Sequence, residues 1–374
     1  MSWPEMPLDQ LGTVARGKSR HRPRDAAHLY GGPYPFIQTG DVKHAGLYLS
    51  DFDQTYSEEG LAQSKLWPEG TLCITIAANI ADTSILKIEA CFPDSIIGFI
   101  PDPEKADARF IKYLFDARFK RQYQTFTQGA AQDNLSQGKL LSLDFPVPDL
   151  LEQQRIASIL SAYDDLIENN RRRIALLEQT AQQLYKEWFV RFRFPGHEHV
   201  KIIDGVPEGW ERKALRDVAT LNYGKALKEE TRVPGGVPVY GSSGIVGSHD
   251  KALVNGPGII LGRKGNVGSV RWSHCNFFPI DTVYFIASDQ SDFHLYLTLQ
   301  HMQFMSTDVA VPGLNREFAY SRSLIRPSAT IGARFEEEVT PVFLQIQKLT
   351  EWNEKLAKAR DLLLPKLMSG AITV

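Results

Sequence analysis

The sequence predicts an α+β fold built twice, with two similar globular modules joined by two long antiparallel coiled-coil helices around an internal pseudo-twofold. Three observations predict it. Trp3, Leu8, Gly17 and Lys18 recur at Trp210, Leu215, Gly224 and Lys225, each 207 positions later. Pro35, Gly70, Phe92-Pro93 and Asn134 are answered in order by Pro238, Gly258, Phe278-Pro279 and Asn315. Each copy then runs into a long helical pattern. A period near half the chain is far longer than a solenoid repeat and marks a duplicated module. A duplicated module suits a two-part target.

The boundaries follow from the pattern: residues 1–150 form the first module, 151–195 a spacer helix, 196–332 the second module and 333–374 a second spacer helix. In the first module the apolar runs at 71–76 and 95–100 read as strands, punctuated by Gly and Pro, and a helix is predicted over 106–126. In the second, 258–261 and 282–286 read as strands and 293–305 as a helix. Proline-marked exits close both modules, at Phe145-Pro146-Val147-Pro148 and Ile325-Arg326-Pro327.

The connector carries the clearest signal. From Ile156, apolar or tolerant positions fall at Leu160, Tyr163, Ile167, Asn170, Ile174, Leu177, Ala181, Leu184 and Trp188, in alternating steps of four and three. A sustained 3.5-residue repeat favours a coiled-coil seam over a merely amphipathic helix. The C-terminal segment repeats it with Phe335, Val339, Val342, Ile346, Leu349, Asn353, Leu356, Leu363 and Leu367, interrupted by Arg360. Asn170 and Asn353 occupy the same heptad position; such a residue lowers stability but fixes register, which predicts that the two helices pair. Helices of about 36 residues at ~1.5 Å each make rods of roughly 54 Å. The first rod must deliver the chain to the start of the second module, so antiparallel packing is expected, with the modules at opposite ends of a stiff spacer.

Composition bounds the function. At 374 residues the chain suits two domains plus connectors. No apolar run is long enough to span a bilayer, and the first residues lack a basic and apolar leader, so neither a membrane nor a secretory route is expected. Cys73, Cys91 and Cys275 lack CxxC spacing and read as buried thiols in a reducing cytoplasm, with no metal site and no cofactor. The net charge of −2 requires any nucleic-acid footprint to be a local patch.

Residues 12–19 satisfy G-x-x-x-x-G-K-S, the phosphate-cradling P-loop pattern, which offers a P-loop NTPase as an alternative. That chemistry needs a preceding strand and a helix starting at Lys-Ser. Here eleven residues precede it and Arg20-His21-Arg22-Pro23-Arg24 follows, and the second copy keeps only Gly-Lys. Arg16, Lys18, Arg20, Arg22 and Arg24 instead place five cations in nine residues, in a loop able to follow a phosphate backbone. The second copy offers Lys225, Arg263, Lys264 and Asn266, the last three among glycines that let backbone approach a ligand. Base reading needs donors and acceptors on turns. Candidates are Gln38, Thr39, Gln128, Gln132 and Asn134 in the first copy, and Ser242, Ser243, Asn315 and Arg316 in the second. No metalloprotease, nucleophile-elbow, dinucleotide-binding or amino-methyltransferase motif is present. A second alternative is a coiled-coil scaffold that binds no DNA.

Pro146-Val147-Pro148, the string 152–160 (EQQRIASIL), Leu166-Ile167-Glu168-Asn169-Asn170 and 184–189 (LYKEWF) closely resemble the central region of the specificity subunit of type I restriction–modification systems. Pro207-Glu208-Gly209-Trp210 resembles the opening of its second target-recognition domain. The resemblance covers essentially the whole chain. It implies a non-catalytic, cytoplasmic subunit that reads a split target in double-stranded DNA. Residues 1–150 would read one half and 196–332 the other, and Ile156, Leu160, Tyr163, Ile167, Asn170 and Ile174 would pair with Val339, Val342, Ile346, Leu349 and Asn353. It also implies docking of two methyltransferase subunits and, in some systems, of restriction subunits.

Overall fold

The structure is a computed structural model and describes residues 3–77, 80–119, 136–304 and 313–374. The chain divides into two compact units, Met1–Arg171 with Glu351–Val374, and Arg172–Thr350. Each contains mixed sheets and a stretch of both long helices.

In the first unit a five-stranded sheet has the order β2(Gly12–Arg16), β10(Ile96–Pro101), β7(Leu72–Thr75), β8(Thr83–Leu86), β4(Tyr48–Leu49). A second sheet runs β5(Gln54–Tyr56), β3(Tyr30–Phe36), β9(Ala90–Cys91), β6(Leu66–Trp67), and β1(Glu5–Pro7) pairs with β11(Asp144–Pro146). Short helices α1(Leu8–Leu11), α2(Thr39–His44), α3(Glu58–Ala62), α4(Ala108–Leu114) and α5(Gln137–Leu141) connect them. Every residue of β7 and β8 is buried, which is why Leu72-Cys73-Ile74 reads as a continuous apolar run rather than an alternation. The core joins Leu72, Ile74, Ile97 and Phe99 to Phe110 and Leu114, and then to Ile156, Leu160, Leu367 and Met368 of the long helices.

The second unit repeats this plan. Its four-stranded sheet runs β15(Asn222–Tyr223), β21(Val283–Ile286), β18(Gly258–Gly262), β19(Val270–Ser273). Beside it lie β17(Gly244–His249), β16(Val237–Gly241), β20(Phe278–Pro279), then β14(Glu211–Ala214) with β22(Ser323–Arg326) and β12(Ile202–Ile203) with β13(Val206–Pro207). The repeat shows in the pairings: β3 runs parallel to β9 in one unit, and β16 parallel to β20 in the other. The recurring Gly-Lys has a backbone cause. A Cβ at Gly17 would collide with the carbonyl oxygens of Phe92 and Pro93, and one at Gly224 with those of Pro279 and Ile280. Lys18 N–H donates to Phe92 O at 3.0 Å, as Lys225 N–H does to Pro279 O at 3.0 Å. Only glycine permits that approach.

Helix α7(Phe293–His301) is shorter than the predicted 293–305, because Met302 turns to an extended backbone at ψ 137°. It is followed by α8(Arg316–Tyr320). The predicted helix over 106–126 begins as α4, continues as a π-helical turn at Phe115–Phe119, and then leaves the described residues.

The two long helices are α6(Leu150–Tyr185), of 36 residues, and α9(Ala329–Met368), of 40. In the first unit they run antiparallel. Asn170 Nδ2 donates to Asn353 Oδ1 at 2.9 Å, and Asn353 Nδ2 donates to the Ile167 carbonyl at 3.4 Å. Arg360 does not break the seam. It is half-buried and ion-pairs with Asp164, whose other oxygen accepts the Tyr113 hydroxyl at 2.5 Å. Burial works against the Arg360 charge, but Asp164 and Asp361 together raise its pKa. In the second unit Ala181, Tyr185 and Trp188 share one core with Phe335 and Val339. Ile174, Leu177, Val342 and Ile346 are partly buried, and Leu349 is buried.

Candidate nucleic-acid interface

In the first unit, β2 ends in the basic loop. Three of its five cations hold the loop together. The Arg16 guanidinium donates to the Asp94 carbonyl at 2.9 and 2.7 Å, and Arg24 pairs with the Asp94 carboxylate at 2.9 Å. Arg22 Nη1 donates to the Ser19 and His21 carbonyls. The backbone N–H of Arg20 donates to Gln63 Oε1 at 2.5 Å, and Arg20 and Lys18 are both exposed. Lys65 joins them: burial, and then the charge of Lys18, lower its pKa, and its Nζ sits 3.7 Å from the Trp67 ring centre.

A cavity of about 430 Å³ brings Arg24 together with Gln38, Thr39, Gln54, Tyr30 and Phe36. The Asp41 carboxylate caps α2 by accepting the Gln38 backbone N–H at 2.7 Å, and Gln38 Nε2 donates to Gln54 Oε1 at 2.6 Å. Both Gln54 Nε2 hydrogens and the second Gln38 Nε2 hydrogen are without a partner among the described residues at this mouth. Gln128, Gln132 and Asn134 lie outside the described residues.

The P-loop alternative has no support in this geometry. Gly12–Arg16 is itself a strand paired with β10, and no helix begins at Lys18-Ser19. A phosphate cradle needs the helix N-terminus that is missing here.

In the second unit the candidate residues lie on neighbouring loops. Ser242 and Ser243 form the two-residue turn between β16 and β17, and Ser242 Oγ accepts the Asn266 N–H at 3.3 Å. Lys264 bridges to Gly313, and Leu314 N–H donates to the Arg263 carbonyl at 2.8 Å, which sets Asn315 and Arg316 beside that loop. Asn315 Oδ1 caps α8, accepting from Glu317 N–H at 2.8 Å and Phe318 N–H at 3.2 Å. The guanidinium carbons of Arg263 and Arg316 lie 5.1 and 5.0 Å from the centre of the Tyr223 ring. Lys225 follows two residues later and is exposed. Sequence reasoning missed Tyr223, Tyr284 and Tyr320, since the set is assembled by contacts such as Tyr223–Arg263 and Tyr223–Arg316, which join residues 40 and 93 positions apart. A cationic, aromatic surface with amides and hydroxyls at its rim can bind phosphates and stack or hydrogen-bond to bases.

Elsewhere in this unit, burial and then the charge of Arg326 depress the His294 pKa to about 4. Among the described residues no group of three or more His, Cys, Asp or Glu side chains is placed to hold a metal, and no helix is long and apolar enough to cross a membrane.

A family model described as "Type I restriction modification DNA specificity domain" matches residues 2–179 and 207–317. The chain is 25% identical over 410 residues to the type I restriction enzyme MjaIX specificity subunit of Methanocaldococcus jannaschii, covering 100% of this chain and 94% of that one. It is 25% identical over 325 residues to the HindI specificity subunit of Haemophilus influenzae, covering 62% and 69%. The crystal structure of a type I restriction–modification S subunit from M. genitalium shares the fold, with a TM-score of 0.61 at 17% identity, over 98% of this chain and 96% of that one.

Proposed function

The chain belongs to the type I restriction modification DNA specificity family, and from that premise we propose how it reads DNA. As a member it is the non-catalytic DNA-recognition component of a restriction–modification complex. The finer reading is that residues 1–150 address one half of a split duplex target and 196–332 the other. Lys18, Arg20 and Lys65 with the Gln54 pocket serve the first; Lys225, Arg263, Lys264 and Arg316 serve the second. Phosphate contacts position each module, and base-edge contacts give the sequence. Helices α6 and α9 set the separation and dock methyltransferase subunits, two in number, with restriction subunits joining where the system has them. A cytoplasmic location follows from that role.

The duplicated strand plan carries the reading: each copy offers a cationic surface beside polar turns, and each is tied into the same two helices. At ~3.4 Å per base pair, a 36-residue helix of roughly 54 Å corresponds to at most about 16 base pairs between module centres. Mapping methylated sites in a host with and without this chain tests it. A split motif should vanish on deletion and return on complementation; an unchanged methylation pattern refutes the reading.

A further inference from the structure

In the second unit three guanidinium groups alternate with three tyrosine rings. Arg216 lies 5.9 Å from the centre of Tyr320, Arg316 lies 5.9 Å from Tyr320 and 5.0 Å from Tyr223, and Arg263 lies 5.1 Å from Tyr223 and 5.8 Å from Tyr284. Two of the rings are anchored. The Tyr284 hydroxyl donates to the Leu314 carbonyl at 3.0 Å, and the Tyr320 hydroxyl accepts the Leu221 N–H at 2.9 Å. Tyr223, between two arginines, is 48% exposed.

The three cations are not equivalent. Arg216 is paired with Glu317 at 3.0 Å, and Arg263 Nη1 donates to the Asp281 carbonyl at 3.2 Å. Arg316 carries no side-chain hydrogen bond or ion pair among the described residues, although rings flank it on two sides. Its donor edge is unspent while its position is held.

We propose that Arg316, held between Tyr223 and Tyr320, reads a guanine in the half-site addressed by the second unit. The inference rests on the DNA-reading function proposed above. A guanidinium held against aromatic faces has already lost much of its rotamer freedom, and two parallel N–H groups suit a planar pair of acceptors. Guanine presents O6 and N7 in the major groove as such a pair. A mobile point charge is enough to position a phosphate, and the exposed Lys225 and Lys264 on neighbouring loops supply it. Short polar side chains, Asn315 next in sequence and Ser242 and Asn266 on the loops joined through Lys264–Gly313 and Ser242 Oγ, suit a base-reading surface rather than a backbone track.

The test uses the full chain assembled with its methyltransferase subunits, methylating a randomised duplex library. Wild type should require guanine at one position of one half-site. Arg316→Lys keeps the charge and loses the fork, so preference for that guanine should fall about tenfold to a hundredfold while the other half-site is unchanged. Tyr223→Leu should relax the same position, and Tyr223→Phe should behave as wild type. A measurement on unmodified protein guards against misfolding of the variants. Replacing guanines one at a time with 7-deazaguanine removes N7 and should weaken binding at that position alone, with no further loss in Arg316→Lys. Tolerance of 7-deazaguanine throughout, or a uniform loss of binding with the motif intact, overturns the proposal in favour of a phosphate contact or none. A wild-type complex that methylates no split motif would instead refute the proposed function.

Discussion

The two long helices meet different chemistry in the two units. In the first, polar pairs are set among the apolar residues of the seam: Asn170 bonds Asn353, and Asp164 joins Arg360 to Tyr113. In the second it is aromatic: in the π-helical turn Lys186–Val190 that continues α6, Phe189 packs edge-on against Phe335 at 4.7 Å and Trp188 lies 5.6 Å from it. Both stretches obey one heptad pattern. The difference separates two tasks, since buried apolar area supplies stability while paired polar groups select one register among those a greasy seam would tolerate.

The comparison breaks most easily on the aromatic side. Phe335→Ala should cost about 3–5 kcal/mol in chemical denaturation followed by tryptophan fluorescence, because Phe335 is fully buried among Trp188, Phe189 and His294. A loss under about 1 kcal/mol would remove the aromatic seam from the account. The same core sets a pH limit. With His294 depressed to about 4, the unfolded chain takes up a proton near pH 6.5 that the folded one refuses. Stability should therefore be full above about pH 6.5 and decline as pH falls towards 4, and His294→Gln should flatten that decline. Thermal melts across this range read it directly, and an identical slope in the variant would refute the assignment.

On the polar side, Asp164→Ala leaves Arg360 half-buried and Tyr113 without its acceptor, which should cost about 2 kcal/mol. Asp164→Leu combined with Arg360→Met should recover most of it. The smallest effect belongs to the asparagines. Asn170→Leu with Asn353→Leu should change stability by no more than about 1 kcal/mol while loosening register, visible as additional cross-link products between cysteines placed along the seam. A loss well above that would make the amide pair a stabilising contact rather than a register device.

The helices were legible in the sequence because a 3.5-residue period is a local property, readable residue by residue. Strands β7, β10, β18 and β21 were legible for a similar reason: each is a short apolar run preceded within four residues by Gly or Pro. The parallel pairings β3–β9 and β16–β20 were not, since they join segments far apart in the chain. At the interface the obstacle was chemical. Gln38, Ser242 and Asn315 suit base reading and structural hydrogen bonding alike, and part of each side chain is spent inside the fold, Gln38 on Gln54 and the other two on turns. The arginine–tyrosine ladder was hidden by distance, with Tyr223 and Arg316 brought together only by β15, β21 and α8. Arg360 looked like an interruption because its partner, Asp164, sits on the other helix.

The proposed role of the paired helices is that of a ruler between two readers. Its most direct measurement is the methylated motif after inserting one heptad between Arg173 and Ile174 and a matching heptad between Leu349 and Thr350, which keeps both seams in phase. Seven residues add about 10.5 Å, close to three base pairs. The account predicts a spacer lengthened by about that much with both half-site sequences unchanged, whereas an unaltered spacer, or altered half-sites, would contradict it.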